Sequence, residues 1–500
     1  MADAQRTALP YGFAREHGIL CLETGGERPR LGIRQTAAAE SLLEARRALG
    51  RPVEVERLSM AEFDRRLSEL YTSEGVETAG IEAATDGEDG LESLLEDMPR
   101  TADLLDTVDD APVIRLINGL IAEAVRRRAS DIHVEPFEER LAVRLRIDGV
   151  LQDVLGLSPR LAPLITSRIK VMARLDITEK RLPQDGRISL TIGGKSLDVR
   201  VSTLPARHGE RVVLRLLDKE QGHFEIDALG MSGAILERYK AALEQPNGII
   251  LVTGPTGSGK TTTLYAGLAR LNDQSRNILT IEDPVEYALD GVGQTQVNAK
   301  IGMSFAAGLR AILRQDPDVV MVGEIRDRET ADIAVQASLT GHLVLSTVHT
   351  NSAVAAVTRL RDMGVEPFLL ASTVKAILAQ RLVRRLCESC KRPYAPDPGE
   401  RRLLGSDAAG DVTLWAPAGC ADCGHTGFAG RVGLYEIAVI DGEMRRLIHA
   451  DSDEDALAAH AFAQSETLLE SGVAHARAGR TSLAEVVRVC RREEAGNGGV

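Results

Sequence analysis

A glycine-rich loop between an apolar run and a helix constrains this chain more than any other segment. Residues 254–261 read Gly-Pro-Thr-Gly-Ser-Gly-Lys-Thr and fit the pattern G-x-x-x-x-G-K-[ST] in full. In this pattern the backbone N–H groups surround a phosphate, the lysine reaches the β- and γ-phosphate oxygens, and the threonine hydroxyl holds Mg²⁺. The apolar run 248–253 precedes the loop, and the helix that follows favours anions at its N-terminus. The sequence therefore predicts a nucleotide site formed by Gly254, Pro255, Thr256, Gly257, Ser258, Gly259, Lys260, Thr261 and Thr262.

Two carboxylates end apolar runs downstream of this loop. Glu282 follows the run 278–281, and Glu324 follows the run 318–323. At the second position many phosphate-loop enzymes carry an aspartate that helps to hold Mg²⁺, so the glutamate is a departure. Carboxylates at adjacent strand ends can divide two tasks, holding the metal and polarising the attacking water. We therefore expect both glutamates in the site, and the sequence leaves open which one is the general base.

Two histidines flank the apolar run 343–348, in a chain with only ten. In one interpretation, His342 and His349 are satisfied histidines that pack on their neighbours. In the other, one of them contacts the γ-phosphate from the tip of a strand. Spacing alone does not separate these interpretations, and His349 is our candidate for the functional role.

The length of 500 residues predicts several domains. Residues 1–73 include an apolar helical face after a capping box and predict a small α+β module. Residues 74–110 contain thirteen acidic residues and one basic residue, which predicts a flexible acidic linker. Residues 111–225 show alternating apolar positions and turn signals typical of a sheet domain, including a two-residue turn predicted at Asp148-Gly149 after the alternating run 141–147. Arg200 and Arg215 lie on polar faces of its strands. Short apolar runs separated by helical segments over 226–386 predict a mostly parallel sheet, and the last 70 or so residues are expected to be chiefly helical.

Four of the six cysteines form two C-x-x-C pairs, Cys387 with Cys390 and Cys420 with Cys423. Four thiolates saturate a tetrahedral Zn²⁺ and leave no position for water, so the pattern predicts a structural zinc site. Redox chemistry is the weaker interpretation for such pairs in a chain without an export signal. We expect one Zn²⁺ per chain.

The charge balance restricts the partners. The chain carries 60 Lys and Arg against 73 Asp and Glu, a formal net charge of −13, which disfavours binding to a nucleic-acid backbone. No apolar run approaches the roughly 18 residues that span a bilayer, and the N-terminus has no apolar signal core. We therefore expect a cytoplasmic protein whose attachment to a membrane comes through a partner.

Four segments together resemble a known superfamily. They are the phosphate loop, residues 280–287 (Thr-Ile-Glu-Asp-Pro-Val-Glu-Tyr), the stretch 310–327 and the two-histidine segment. In this order they resemble the four signature boxes of the secretion ATPases, which include motors for type II secretion, type IV pilus extension and retraction, and type IV secretion. The resemblance spans roughly residues 110–500 and is most similar to the type II secretion members at 293–298 and 312–326. The four-cysteine insertion matches those members and some pilus-extension motors, whereas retraction motors generally lack it.

This resemblance implies an α/β fold with a RecA-like phosphate-loop ATPase core. Around that core it implies an N-terminal α+β (PAS-like) sheet domain, a zinc-binding insertion and a small N-terminal docking domain. In these terms the parts are the docking domain 1–73, the linker 74–110, the sheet domain 111–225, the ATPase core 226–386, the tetracysteine module 387–425 and the C-terminal helical part 426–500. A homo-hexameric ring with a mobile sheet domain is also implied.

The resemblance further implies a role for each candidate residue. Lys260 and Thr261 bind the phosphates and Mg²⁺, Glu282 orients water, and Glu324 coordinates the metal through water. Four arginines match those that the family directs at the nucleotide, where they would stabilise charge on the transferring phosphoryl group: Arg310, Arg314, Arg200 and Arg215. The alternative for each is an ordinary surface or salt-bridge arginine.

The implied function is that of an ATP-hydrolysing motor with ATP, Mg²⁺ and Zn²⁺ as cofactors. Its partners would be the inner-membrane assembly protein of the type II secretion system, bound through the N-terminal domain, and an inner-membrane platform protein. Three alternatives remain open: a type IV pilus extension ATPase, a nucleic-acid translocase, and a scaffold that binds nucleotide without turnover. The acidic charge and the aromatic content of 3% weigh against a nucleic-acid motor.

Overall fold

A computed structural model gives the fold of this chain. It describes residues 9, 13–14, 17–23, 28–34, 37–50, 52–60, 62–63, 66–67, 70, 111–192, 195–218, 225–405 and 412–490. The chain forms two compact units, and the boundary between them falls between Glu220 and Gln221. The linker predicted for residues 74–110 lies outside the described residues.

The first unit begins with a small three-stranded sheet. Its elements are β1 (Ile19–Glu23), β2 (Arg30–Arg34), α1 (Ala39–Leu49) and β3 (Glu54–Leu58). The central strand β2 pairs antiparallel with β1 and parallel with β3. Buried apolar side chains from both ends of this module, including Leu20, Leu58 and Phe63, pack into one cluster. A second cluster, which includes Ile19, Leu31 and Ala45, lies wholly within the module and gives it an apolar core of its own.

The rest of the first unit is a six-stranded antiparallel sheet with two helices. Its elements are α2 (Ala111–Arg126), β4 (Ala129–Pro136), β5 (Leu141–Ile147), β6 (Val150–Leu157), α3 (Ala162–Met172), β7 (Gln184–Ile192), β8 (Lys195–Ala206) and β9 (Gly209–Asp218). The strand order is β6-β5-β4-β9-β8-β7. Asp148 and Gly149 join β5 to β6 with φ values of 49° and 84°, which confirms the predicted two-residue turn. The apolar faces of the two helices and the sheet form a single buried cluster.

The second unit is built on a seven-stranded sheet. In chain order its elements up to the cysteine segment are α4 (Gly233–Leu243), β10 (Gly248–Thr253), α5 (Lys260–Leu271), β11 (Ile278–Glu282), β12 (Gly293–Gln296), α6 (Phe305–Ile312), β13 (Val319–Val322), α7 (Arg328–Leu339), β14 (Leu343–Val348), α8 (Ala355–Asp362), α9 (Pro367–Thr373) and β15 (Val374–Leu386). The elements that follow are β16 (Arg392–Tyr394), α10 (Pro398–Leu404), β17 (Leu414–Ala416), β18 (Phe428–Val439), α11 (Gly442–His449), α12 (Glu454–Ala461), α13 (Leu468–Arg477) and α14 (Leu483–Cys490).

The strand order β12-β11-β13-β14-β10-β15-β18 places β10 inside the sheet, and every pair except β15 with β18 is parallel. All residues of β10 and β14 are buried. Along β10, Ile249 and Leu251 belong to one apolar cluster, whereas Ile250 and Val252 belong to another. Because successive side chains point to opposite faces, both faces of the sheet are covered, as expected for parallel strands joined by helices.

One strand was missed by the sequence analysis, which expected chiefly helical structure after the cysteine segment. Residues 428–439 form β18, which closes the edge of the main sheet by pairing antiparallel with β15 over ten residue pairs. The segment is rich in β-branched and aromatic residues, a signal that could have identified it. The cysteine segment is therefore an excursion between two adjacent strands of one sheet. Over the described residues, none of the helices has both the length and the apolar character that a membrane span requires.

Candidate functional site

The carboxyl ends of four adjacent strands define the candidate site. β10 leads into the phosphate loop, β11 ends at Glu282, and β13 and β14 lead to Glu324 and His349. These strands are neighbours in the order β11-β13-β14-β10, and each neighbouring pair is parallel. Parallel strands have their carboxyl ends at one edge, where open α/β sheets bind ligands. The topology therefore brings segments that are far apart in sequence to one edge of the sheet.

The phosphate loop has the backbone that its glycines predict. Gly254 and Gly259 have φ values of 143° and 87°, outside the range that side chains adopt readily. A Cβ at Gly254 would lie 2.4 Å from the carbonyl oxygen of Gln380, so the close approach of β15 also requires glycine there. Helix α5 begins directly after the loop at Lys260, and the side chains of Thr261 and Thr262 are exposed. The first turn of α5 is thus open to a ligand.

Lys260 is held by the loop itself. Its Nζ donates to the carbonyl oxygens of Gly254 at 2.8 Å and Pro255 at 3.0 Å. Burial lowers the pKa of Lys260 to about 8, the Glu324 carboxylate acts in the raising direction, and the Arg381 guanidinium adds to the lowering. An anion that enters the loop would therefore stabilise the charged form of Lys260.

Glu324 and His349 lie together in this neighbourhood. The Oε2 atom of Glu324 is 3.4 Å from Nε2 of His349, and its Oε1 atom contacts the guanidinium of Arg326. Its charge acts on Lys260, so the carboxylate and the loop lysine share one electrostatic environment. Glu324 retains 12% exposure and His349 retains 49%, which leaves both accessible from solvent.

Glu282 has different surroundings. Its side chain is buried at 3% exposure, and both carboxylate oxygens accept hydrogen bonds. Thr280 Oγ1 donates to Oε1 at 2.6 Å, Gln294 Nε2 donates to the same atom at 3.1 Å, and Tyr265 Oη donates to Oε2. Because both of its oxygens are hydrogen-bonded to neighbouring side chains, this carboxylate is better placed to hold the loop that follows it than to contact water.

The two histidines of the 340–351 segment separate into different environments. His342 lies at the amino end of β14, with Nδ1 2.8 Å from the carbonyl oxygen of Ala337 and 3.1 Å from Thr340 Oγ1. These local contacts are those of a structural histidine. His349 lies at the opposite end of the strand, beside Glu324. The geometry therefore favours His349 as the candidate of the two.

Three of the predicted arginines have contacts to acidic or backbone groups: Arg310, Arg314 and Arg215. In the second unit, Arg310 Nη2 is 2.5 Å from Glu329 Oε1, and Arg314 Nη1 donates to the carbonyl oxygen of Arg310 at 3.0 Å. In the first unit, Arg200 on β8 is the cross-strand neighbour of Arg215 on β9. Arg215 Nε donates to Asp131 Oδ1 at 2.9 Å. Their contact with a nucleotide stays a prediction.

Two buried charged side chains near the site, Arg381 and Glu436, were not predicted from the sequence. Arg381 is 3% exposed, and its Nη2 donates to the carbonyl oxygen of Asn351 at 2.7 Å. Glu436 is 4% exposed and accepts the N–H of Ala353 at 2.8 Å and that of Leu468 at 3.0 Å. Burial raises the pKa of Glu436, against those two N–H groups and the Arg381 charge. A sequence signal existed, because polar residues interrupt the apolar runs of both β15 and β18.

The four cysteines converge. Their Sγ atoms all lie within 4.8 Å of one another, with separations of 3.9 Å for Cys387 to Cys420, 3.9 Å for Cys390 to Cys423 and 3.8 Å for Cys420 to Cys423. A tetrahedral zinc site with Zn–S bonds of about 2.3 Å requires sulfurs about 3.8 Å apart, so the donor set fits Zn²⁺.

Backbone donors add to this fit. The N–H groups of Cys420 and Gly427 lie 3.3 Å and 3.2 Å from the Sγ of Cys423. Desolvation acts to raise the pKa of Cys423, but hydrogen bonds from these N–H groups and with the thiols of Cys420 and Cys390 outweigh it, and the pKa is lowered to about 6. A thiol that ionises at neutral pH is ready to serve as a metal ligand.

Comparison with known proteins agrees with this site. Residues 106–488 match the family described as Type II/IV secretion system protein, and residues 8–71 match a family of N-terminal domains of GSPII protein E. The chain belongs to the type II/IV secretion system protein family. Type II secretion system protein E of Pseudomonas aeruginosa is 54% identical over 489 residues, which cover 97% of this chain and 96% of that protein. Type II secretion system ATPase E of Vibrio cholerae is 50% identical over 487 residues, covering 97% and 96%.

Solved structures of related ATPases have the same fold. The pilus retraction motor PilT with bound ADP is 27% identical, with a TM-score of 0.51, and the match covers 74% of this chain and 95% of that one. The ATPase DotB of Legionella pneumophila is 22% identical, with a TM-score of 0.54 and coverage of 76% and 95%. The predicted RecA-like α/β core is thereby confirmed, and this family member is an ATP hydrolase.

The lowered pKa of Lys260 predicts proton uptake when a nucleotide binds. Below pH 7 the free lysine is already charged; above about pH 8 it is mostly neutral, and phosphate oxygens would restore its proton. We expect uptake to rise from near zero at about pH 7 to most of one proton at about pH 9. Calorimetry of ADP binding in buffers with different ionisation enthalpies measures this number.

A Lys260→Arg variant supplies the control, because an arginine stays charged over this range. It should bind ADP without the additional proton. Equal uptake by the variant and the unmodified protein would show that another group titrates.

Proposed function

We propose that this chain is the ATP-hydrolysing motor of a type II protein secretion system, powering pseudopilus assembly and the export of folded proteins across the outer membrane. The observation that carries the proposal is the identity of about half of all residues to type II secretion proteins E over nearly the whole chain, including the N-terminal module. The type IV pilus extension ATPase is the nearest alternative, because its chemistry would be the same.

In this proposal the phosphate loop binds ATP. The backbone N–H groups of the non-proline residues in 254–261 would surround the phosphates, and Lys260 would exchange its bonds to the loop carbonyls for bonds to phosphate oxygens. Thr261 is the residue that would hold Mg²⁺, which supplies charge neutralisation at the phosphates when bound. The exposed position of Thr261 at the start of α5 supports this assignment.

We propose that Glu324, rather than Glu282, acts on the metal-bound or attacking water. Glu324 is accessible and acts electrostatically on Lys260, whereas both oxygens of Glu282 are engaged by neighbouring side chains. His349 accompanies Glu324 at the edge and would hold or orient that carboxylate. Glu282 would instead support its loop, since Tyr265 Oη also accepts the N–H of Glu286 at 3.4 Å.

A complementation experiment tests both which secretion or pilus system the chain serves and which glutamate acts in hydrolysis. In a host with the gene deleted, we restore the unmodified chain, Glu324→Gln or Glu282→Gln, and score secreted proteins, surface pili and ATP hydrolysis of the purified proteins. We expect Glu324→Gln to bind ADP normally but lose hydrolysis by roughly a hundredfold and fail to restore secretion. We expect Glu282→Gln to retain more hydrolysis and to lose thermal stability, because it alters a buried hydrogen-bond network.

Each alternative has its own signature in this experiment. Loss and recovery of pili with unchanged secretion would assign the chain to a pilus machine. Stimulation of hydrolysis by DNA would support a translocase. A Glu282→Gln variant that folds normally and is the less active of the two would return the catalytic role to Glu282.

We further propose that six copies form a ring, with Arg310 and Arg314 of the ATPase unit and Arg200 and Arg215 of the sheet domain directed at the nucleotide. The protein would be cytoplasmic and attached peripherally to the inner membrane. The N-terminal module would bind the inner-membrane assembly protein, and the ring would act on the inner-membrane platform protein. The separate family match of residues 8–71 supports a distinct role for the module.

Removal of residues 1–73 tests this attachment. We expect the truncated protein to keep basal ATP hydrolysis, because the phosphate loop and Glu324 lie in the other unit, and to disappear from the membrane fraction of the host. The full-length Glu324→Gln protein is the matched control and should stay in the membrane fraction. Undiminished membrane association of the truncated protein would contradict the proposal.

We propose that the tetracysteine module holds one structural Zn²⁺ through Cys387, Cys390, Cys420 and Cys423. The sulfur spacing and the backbone donors to Cys423 support this assignment. Metal binding would fold a segment that has little apolar core of its own and lies between two strands of the main sheet.

Protein purified without a histidine tag should contain close to one zinc per chain by elemental analysis. A chelator should remove it slowly and lower the thermal unfolding midpoint, and Cys423→Ser should have the same effect. Cys490→Ser, which changes a cysteine outside the cluster, should leave the zinc content unchanged. Zinc well under one equivalent in the unmodified protein would exclude the site.

A further inference from the structure

Gln380 lies directly behind the phosphate loop. It belongs to β15, which runs parallel to β10 in a register that pairs Thr253 with Ala379 and so places Gln380 beside the first residue of the loop. Its side chain is buried at 2% exposure. The amide nitrogen Nε2 donates to the carbonyl oxygen of Ser258 at 2.5 Å, and the amide oxygen Oε1 accepts the hydroxyl of Thr263 at 2.7 Å.

The chemistry of these partners fixes the direction of the amide. A carbonyl oxygen can only accept, so the group of Gln380 that faces Ser258 must be the NH₂. The amide oxygen then faces Thr263, whose hydroxyl can donate. Both partners are themselves buried, at 3% for Ser258 and 1% for Thr263, so water does not substitute readily for either bond.

The bond to Ser258 determines the orientation of one peptide in the loop. A peptide group is planar and trans, so the carbonyl of Ser258 and the N–H of Gly259 point in opposite directions. With the carbonyl directed back toward β15, the N–H of Gly259 is directed away from β15. Gly259 has a positive φ of 87° and precedes the first residue of α5, so this N–H is among the donors at the start of that helix.

We propose that Gln380 is a positioning residue for nucleotide binding, which holds the Ser258–Gly259 peptide so that its N–H faces the phosphates. The bond to Thr263 joins the same side chain to the first turn of α5, and the loop and the helix are therefore held in one arrangement. The inference rests on the assignment of nucleotide binding to this loop.

An ionised glutamate would not replace this residue. Its carboxylate oxygen would face the carbonyl oxygen of Ser258, and two acceptors repel each other at this distance. The peptide would relieve that contact by turning its N–H toward β15, which removes the donor from the loop. The side chain required here is thus one that donates on one side and accepts on the other.

The experiment compares Gln380→Met, which keeps the length but cannot hydrogen-bond, with Thr373→Val. Thr373 is also buried and donates to a backbone carbonyl, that of Leu369 at 2.7 Å, immediately before β15 and at its other end. Gln380→Met loses two buried hydrogen bonds and Thr373→Val loses one, so the unfolding midpoint of each full-length protein is measured alongside the unmodified one. Affinities for ADP and for inorganic pyrophosphate are measured by calorimetry.

We expect Gln380→Met to weaken ADP and pyrophosphate by about the same factor, on the order of tenfold, because the lost donor acts on phosphate. Thr373→Val should change neither affinity by more than about twofold. At a pH where the introduced carboxyl is ionised, Gln380→Glu should bind both ligands more weakly than Gln380→Met does. A merely structural role would lower the unfolding midpoint of Gln380→Met but leave the affinities of the folded protein as little changed as those of Thr373→Val.

Unchanged affinity of folded Gln380→Met for both ligands would overturn the inference, as would a loss for ADP without a loss for pyrophosphate. Lys260→Ala separates this failure from failure of the site assignment. If Lys260→Ala loses ADP binding while Gln380→Met does not, the loop binds phosphate and Gln380 does not position it. If Lys260→Ala binds ADP normally, the assignment of the loop itself is wrong.

Discussion

The parallel pairing of β10 with β14 on one side and β15 on the other is the interaction on which the site depends. It buries all six residues of β10 and places the phosphate loop beside the strand ends that carry Glu324 and His349. The hydrophobic effect stabilises this arrangement, because alternate residues of β10 join apolar clusters on both faces of the sheet. The rigid strands thereby hold a loop that is rich in glycine and has little preference of its own.

Polar side chains underneath the loop then determine its detail. Thr253, Gln380 and Arg381 are all buried and hydrogen-bond backbone groups of the loop or of the segment after His349. A buried polar group raises the free energy of the folded state unless it is hydrogen-bonded, and the cost of breaking such a bond is larger in a medium of low dielectric. Few other arrangements of these side chains are therefore accessible. These residues therefore favour one geometry of the site, at some expense in folding free energy. The buried carboxylate of Glu436 accepts the N–H of Leu468, which is the first residue of α13, and so links these polar side chains to that helix.

Environment, more than residue type, separates the two glutamates at this edge. Glu282 is enclosed by donors, whereas Glu324 lies between Arg326 and His349 and acts on the pKa of Lys260. The tetracysteine module also depends on strand pairing. The antiparallel strands β15 and β18 bring together the two C-x-x-C pairs, which lie at the two ends of the segment that connects these strands. In both places the strands fix the positions of chemical groups that the chain carries far apart.

The phosphate loop, the class of fold, the four candidate metal ligands and the family could all be predicted from the sequence, because they depend on residue types at short spacing and on the order of such motifs along the chain. The sequence also predicted the Asp148–Gly149 turn, because few residues tolerate the backbone there. It missed β18, and it could reveal neither the different surroundings of Glu282 and Glu324 nor the position of Gln380. Those features were decided by the tertiary structure, because burial and hydrogen-bond partners arise from strands that are neighbours in space and can be separated by more than a hundred residues along the chain.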